Sequence, residues 1–393
     1  MPTAVVTHAF RTPIGRFLGG LSSLTSVELG CAVVKPLIER AGIGADEVQQ
    51  LIFGNGRQAG AGPNPARQIA VRSGLSVTTT AYTMNMACAS GLKSLVLAAR
   101  EIESGDAEIV VAGGTESMSR LPYLLPHARD GYRLGHAPLV DAMYQDGFQC
   151  PLADQLMGAT GENLAERDGI GRDRQDAFAV QSQTRCEAAR KGGVFVDEIV
   201  PVEVPGRKGV VTLFEHDEHA RDGVTIESMA KLKPVFKDGG SVHPGNSSGI
   251  TDGAAALLVM SEDAARARGL EVLAVVEGSA EAGVDPRFMG FGPVPATEKL
   301  ARKLGITIAD WDLIELNEAF AVQALSCMDA WGIDADCVNV HGGAIALGHP
   351  IGATGARIVV TLLHAMKRRG AKRGLATLCV SGGMGMSVSF RRP

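Results

Sequence analysis

Two stretches far apart in the chain follow one pattern: a small-residue triplet opens a helix, and the helix leads to a strand and then to paired glycines. In the first, Ala89-Ser90-Gly91 begins a helix over 89–103, with Leu92, Leu95, Ala99 and Ile102 at spacings of three and four. A strand over 108–112 and Gly113-Gly114 follow. In the second, Ala353-Thr354-Gly355 begins a helix over 353–369, followed by a strand over 375–380 and Gly382-Gly383. Aligning the triplets, and Ala112-Gly113-Gly114 with Ser381-Gly382-Gly383, requires one short insertion. The pattern predicts a duplication: two similar α/β halves. Glycine supplies 49 of the 393 residues, against a usual share of about 7%, so matches between small residues also arise by chance.

Helices and strands alternate before the first block too. A strand over 3–8 ends at Arg11-Thr12-Pro13. A helix over 26–41 places Val27, Cys31, Val34 and Ile38 on one face and stops at Gly42. A strand over 50–53 runs into Gly54-Asn55-Gly56. Between about 120 and 245 the texture changes: Pro122, Pro126, His127, Arg129, Arg133 and His136 crowd together, and one clear helix spans 172–191. This reads as a large insertion, and long irregular insertions in compact proteins carry function or assembly contacts.

Composition excludes several classes. A length of 393 residues suggests two or three domains. The net charge of −5 argues against a nucleic-acid binder. No apolar run reaches the roughly 18 residues of a membrane span, and residues 1–10 lack the pattern of a secretory signal. Seven cysteines without a CxxC pair argue against a disulfide framework or a zinc site and for a reducing compartment, the cytoplasm. No metal is expected. A large enzyme remains.

Four places could carry chemistry. Cys88 stands just before the helix at Ala89, where free N–H groups and partial positive charge would lower a thiol pKa and hold an oxyanion. A free cysteine is equally at home as a small core residue, and the same holds for Cys379, which ends a strand before Ser381-Gly382-Gly383. His349 lies in a glycine-rich turn before a helix, where it can polarise an oxygen or a thiol. That turn could instead cradle a phosphate, but it lacks a Lys-Ser/Thr ending and is not GxGxxG. Asn317, after the strand-like run 313–316, reads first as a helix N-cap.

In order and together, these motifs resemble the thiolase family. They are Asn85 to Gly91, Asn317-Glu318-Ala319-Phe320, Gly342 to Arg357 and Cys379 to Gly385, joined by Arg11 to Gly15, Gly113 to Met118 and Gly245 to Ala254. The resemblance implies the thiolase fold: two duplicated βαβαβαββ halves in a five-layered α-β-α-β-α arrangement with an inserted loop domain. The first half would be 1–119 plus 250–270, the loop domain 120–249 and the second half 271–393. A homodimer or homotetramer is implied as well.

The implied activity is reversible acyl transfer between coenzyme A and the α-carbon of acetyl-CoA. Coenzyme A and acyl-CoA are substrates in this reading, and no cofactor is held permanently. By the resemblance, Cys88 is the nucleophile that carries the acyl group, His349 activates it, and Cys379 is the acid/base at the α-carbon. His349 and a water held by Asn317 form one oxyanion site; the N–H groups of Cys88 and Ser381 form the other. Arg221, Ser228 and Ser248 match coenzyme A contacts, and Phe236, Met289, Ala319 and Phe320 match the pantetheine tunnel. The resemblance departs at Leu156, where acetoacetyl-specific members commonly carry His before Met-Gly. It departs again at Ser381, which replaces a frequent glycine but keeps the N–H. A ketoacyl synthase of the same superfamily and a non-catalytic acyl-CoA binder are the alternatives. The former is opposed by Cys379 and its glycine loop, the latter by the presence of Cys88, His349 and Cys379.

Overall fold

The computed structural model describes residues 2–393. The first half contains β1 (Ala4–Arg11), α1 (Ser26–Ala41), β2 (Gln50–Gly54), α2 (Pro65–Arg72), β3 (Thr80–Met84), α3 (Ser90–Ser104) and β4 (Ile109–Ser117). An insertion carrying α4 (Met157–Asp168) and α5 (Arg172–Lys191) precedes its last strand, β5 (Thr251–Ser261). The second half contains β6 (Ala274–Gly283), α6 (Pro293–Leu304), β7 (Leu313–Leu316), α7 (Ala321–Trp331), α8 (Ile351–Arg369), β8 (Arg373–Val380) and β9 (Met384–Arg391). Local signals set several of these bounds. Thr25 and Glu28 form a capping box at the start of α1, and Gly42 closes the helix in the left-handed conformation at φ 62°.

The duplication is visible in the sheets. The first runs β3-β2-β4-β5-β1 and the second β7-β8-β9-β6. In both, the strand after the central helix, β4 or β8, pairs parallel on one side and antiparallel on the other. A parallel bridge between Ile314 and Val338 stands where β3 lies in the first half. The two sheets meet edge to edge at Val5–Val275 and Val6–Ala274.

Strand alternation assigns the layers. Val110, Ala112, Leu257 and Val259 face a core shared with Leu92 and Leu95 of α3 and Ile358 and Leu362 of α8. Their neighbours Ile109, Val111, Leu258 and Met260 face α1 and α2. In the second sheet Ala376 and Leu378 point to the central helices, and Leu375 points out to α6 and α7. Helices therefore cover both outer faces, and α3 and α8 form the middle layer of five.

The triplet match marks the crossing of those middle helices. A Cβ on Gly91 would lie 2.7 Å from the Ala356 nitrogen, and one on Gly355 would collide with the Leu92 backbone. Two helices this close need glycine at both positions. The second match fails. β4 continues to Ser117, so Gly113-Gly114 lie inside a strand, whereas Gly382 and Gly383 turn the chain between β8 and β9 with φ of 89° and 87°. Gly114 is small for another reason: a Cβ there would collide with the Gly352 carbonyl at the start of α8.

In the second half β8 returns as β9 through the turn 381–383, whereas β4 and β5 are separated by 118–250. This insertion is tied to β1 by buried charge. Arg11 donates from Nε to Glu198 at 2.6 Å and from both terminal nitrogens to Asp217 at 2.7 and 2.9 Å. Asp217 also accepts the Ile14 N–H. The seven cysteines are all free. Among the described residues no helix is long and apolar enough to cross a membrane, and no cluster of His, Cys, Asp and Glu could hold a metal ion.

Candidate active site

Cys88 sits in a single 3-10 turn, Ala87–Ala89, that leads into α3. Ala87 before it has φ 46°, an uncommon conformation for a residue with a side chain. Hydrogen bonds hold the turn: Ala87 N–H donates to the Asn85 side chain at 3.0 Å, Met86 N–H to Ser90 Oγ at 2.9 Å, and Ser90 Oγ to Ala87 O at 2.6 Å. The expectation of a lowered thiol pKa is overturned. Burial pushes Cys88 up; Arg57 and the N–H and hydroxyl of Ser381 oppose the push without reversing it. The resting group is the thiol, because α8 and the 381–383 turn close over the helix start and remove water.

His349 precedes α8. Its Nδ1 lies 2.6 Å from Thr354 Oγ1, which donates to Pro350 O at 3.0 Å. With its one proton so used, the hydroxyl accepts from Nδ1–H, and Nε2 of the neutral ring carries a lone pair. Nε2 is buried with no protein partner. Burial above all, then Arg57 and Arg357, lowers His349 to about 3. Cys379 is the next-to-last residue of β8; it is fully buried and is held well above the ordinary thiol range by burial and by the neighbouring Cys88.

Cys88, His349, Cys379 and Ser381 line one cavity of about 360 Å³. Arg221, Phe236, Ser248, Met289, Ala319 and Phe320 line it too. Ser228 does not: its hydroxyl donates to Thr225 O at 2.6 Å as part of a helix cap. Leu156 stands in the wall, putting hydrocarbon where a His would offer an N–H.

Asn317 is not a helix cap. The next helix, α7, starts at Ala321 with Phe320 at its cap. Both polar atoms of the Asn317 side chain are buried without a protein partner, and Asn317 is not in the cavity wall, so any link to the cavity runs through water. The adjoining Glu318 is buried and accepts from Ser182 at 2.8 Å, Asn339 at 2.8 Å and Ile345 N–H at 3.1 Å. It thereby ties this loop to the glycine-rich turn that carries His349.

Three residues with a part in the site escape a reading of sequence alone. Thr354 was visible only as a small residue of the triplet; Ser90, its counterpart in the other half, braces the Cys88 turn as Thr354 braces His349. Glu116 gathers the N–H groups of Gly56, Arg57 and Gly352 together with Asn55 Nδ2. Arg57 lines the cavity, and its only local signal is its place after the turn Gly54-Asn55-Gly56.

Comparison with known proteins agrees with this geometry. The family model described as thiolase, N-terminal domain, matches residues 4–263, and that described as thiolase, C-terminal domain, matches 270–392. An acetyl-CoA acetyltransferase of Chromobacterium violaceum is 52% identical over 100% of both chains. Among solved structures, the Bacillus anthracis acetyl-CoA acetyltransferase superposes with a TM-score of 0.97 at 43% identity, covering 100% of this chain and 99% of that one. Human mitochondrial 3-ketoacyl-CoA thiolase gives 0.96 at 39% identity with the same coverage.

Proposed function

The chain belongs to the thiolase family, and on that footing we propose how its own residues move an acyl group between coenzyme A and the α-carbon of acetyl-CoA. The observation that carries the proposal is the convergence of two thiols, Cys88 and Cys379, and the free Nε2 of His349 on one cavity.

In the cleavage direction, the Cys88 sulfur attacks the 3-keto carbon of a 3-ketoacyl-CoA while its proton passes to His349 Nε2. Because the pair rests neutral, this transfer accompanies attack and does not precede it. The N–H groups of Cys88 and Ser381 receive the developing oxyanion. The bond between carbons two and three then breaks, and its electron pair forms the enolate of acetyl-CoA. Cys379 gives its proton to carbon two, and the enolate oxygen is held by His349 and an Asn317-bound water. The acyl group remains on Cys88 as a thioester. Coenzyme A then gives its thiol proton to the Cys379 thiolate and attacks that thioester. Cys88 leaves and regains its proton from His349. Condensation runs the same steps backwards.

Two thiols suit the chemistry because close like charges oppose each other. Acylation leaves the Cys88 sulfur unable to ionise, so a thiolate can form at Cys379 with no like charge beside it. The names of the relatives support acetyl-CoA as one substrate and do not favour the ketoacyl synthase or non-catalytic readings. The proposal extends to a homodimer or homotetramer, since among the described residues β3 is a sheet edge paired with β2 alone, and to a role in fatty acid metabolism in the cytoplasm. The test is thiolysis of 3-ketoacyl-CoA from four to sixteen carbons by the purified protein, followed by loss of ketoacyl thioester absorbance. Cleavage that requires free coenzyme A is expected; cleavage without it would make the protein a hydrolase. Activity at four carbons alone would mark an acetoacetyl-CoA enzyme despite Leu156.

A further inference from the structure

Among the described residues three arginines are almost fully buried, and one of them has no anion. Arg11 is 2.6 Å from Glu198, and Arg357 is 3.4 Å from Glu315. Arg57, 5% exposed, has no carboxylate within 4 Å and donates no side-chain hydrogen bond among the described residues. Its Nε is completely buried and unpartnered. The acidic groups around it are Glu116, Cys88, which rests as the thiol, and Asp146. Glu116 does not compensate it directly, because its oxygens are taken by Asn55 Nδ2 at 2.7 Å, Gly352 N–H at 2.9 Å and Gly56 N–H at 3.0 Å.

The guanidinium is held in place by packing. It lies 5.2 Å from the centre of the Phe148 ring, and that ring meets Tyr144 edge-on. Gly147 leaves it room, since a Cβ there would collide with the guanidinium. It lines the cavity that holds Cys88 and His349, whose wall also includes the apolar side chains of Met118 and Ile351. A buried cation without a partner is costly, and a plain hydrocarbon acyl tail would leave it so.

We infer that Arg57 is a specificity residue for an anion carried on the acyl group, and that the cavity takes 3-ketoacyl-CoA thioesters whose chain ends in a carboxylate. The substrate half of this statement rests on the thiolase reading; the anion site does not. Two measurements separate them.

The first alkylates Cys88 with iodoacetate and with iodoacetamide, which differ in charge, and follows both by peptide mass mapping. A charge-assisted hydrogen bond predicts an iodoacetate-to-iodoacetamide rate ratio about ten-fold or more above that of a small free thiol. Arg57→Leu should return the ratio to the free-thiol value and Arg57→Lys should keep most of it. A wild-type ratio equal to that of the free thiol overturns the anion site. So does a ratio unchanged in Arg57→Leu while both rates fall together, which would make Arg57 only a stabiliser of the Cys88 thiolate.

The second compares thiolysis of six- and eight-carbon 3-ketoacyl-CoA with their ω-carboxy derivatives. The carboxylated chains should have the higher kcat/KM, and Arg57→Leu should lower that preference by about ten-fold or more. A wild-type preference for methyl-ended chains overturns the substrate assignment. Cleavage of neither series, with the iodoacetate preference intact, removes the thiolase reading and keeps the anion site.

Discussion

The Thr354 hydroxyl lies 2.6 Å from His349 Nδ1 and 3.0 Å from Pro350 O, so a single proton decides which nitrogen of the imidazole is the base. Replacing Thr354 by Val keeps the shape and removes the acceptor for Nδ1–H. The ring can then place its proton on Nε2, where it no longer accepts from Cys88. The expected result is a loss of kcat on the order of ten- to a hundred-fold, matching the roughly 1–3 kcal/mol of an unsatisfied buried donor. Thr354→Ser should recover most of it. Steady-state thiolysis with both variants is the check, and full activity in Thr354→Val would remove the tautomer argument.

Cys88 and Cys379 should fail at different steps. Cys88→Ser should yield no acyl-enzyme with acetyl-CoA, since a hydroxyl is a much poorer nucleophile there. Cys379→Ser should still gain the acetyl mass on Cys88 but should not form or cleave the carbon–carbon bond. Intact-protein mass spectrometry together with a condensation assay separates the two. Normal condensation by Cys379→Ser would assign the proton at carbon two to another group.

Sequence is most legible where the information is local. The helix over 26–41 is framed by its own cap residues, and the structure returns the same limits. The helix over 172–191 was equally legible. Sequence is least legible where a distant segment decides. Asn317 looked like a cap because the packing that delays α7 to Ala321 involves residues far along the chain. The helix start at Cys88 suggested a lowered thiol pKa, but burial beneath α8 and the 381–383 turn outweighs the helix terminus. The strand expected to end at Ala112 runs on through Gly113-Gly114 to Ser117, because a strand from far along the chain, β5, pairs with it over that whole length. Arg57 has no local signature as an unpaired cation, since its isolation depends on where every carboxylate ends up.

The pH profile should lack a limb from His349. Its active form is the neutral ring, and with a pKa near 3 that form persists well below the ordinary histidine value of about 6.5. Neutralisation is thus complete across the working range, and no fall in kcat/KM is expected on lowering pH from 7.5 to 5.5 on its account. Cys88 acts in the opposite sense: burial holds the thiol protonated, so its alkylation by iodoacetamide should keep accelerating above pH 9. Preincubation with acetyl-CoA should protect Cys88 while leaving the half-exposed Cys31 and Cys337 open to label. Mass mapping between pH 7 and 10 reads both effects. A midpoint below 8 for Cys88 would mean that Arg57 and Ser381 outweigh burial after all.

Arg11 should matter more to stability than any exposed ion pair. It is completely buried, and its two carboxylate partners, Glu198 and Asp217, belong to the insertion that covers the site. Arg11→Met removes the cation and leaves both carboxylates behind in a low-dielectric setting, a loss of about 3–5 kcal/mol by analogy with broken buried pairs. The urea midpoint should fall accordingly. Removing the orphaned charges in the same background, with Glu198→Gln and Asp217→Asn, should restore part of that loss, because these sites share one network and their effects are not additive. If the triple variant were no more stable than Arg11→Met, the cost would lie in lost packing against Phe195, whose ring centre is 5.1 Å from the guanidinium, and not in unpaired charge.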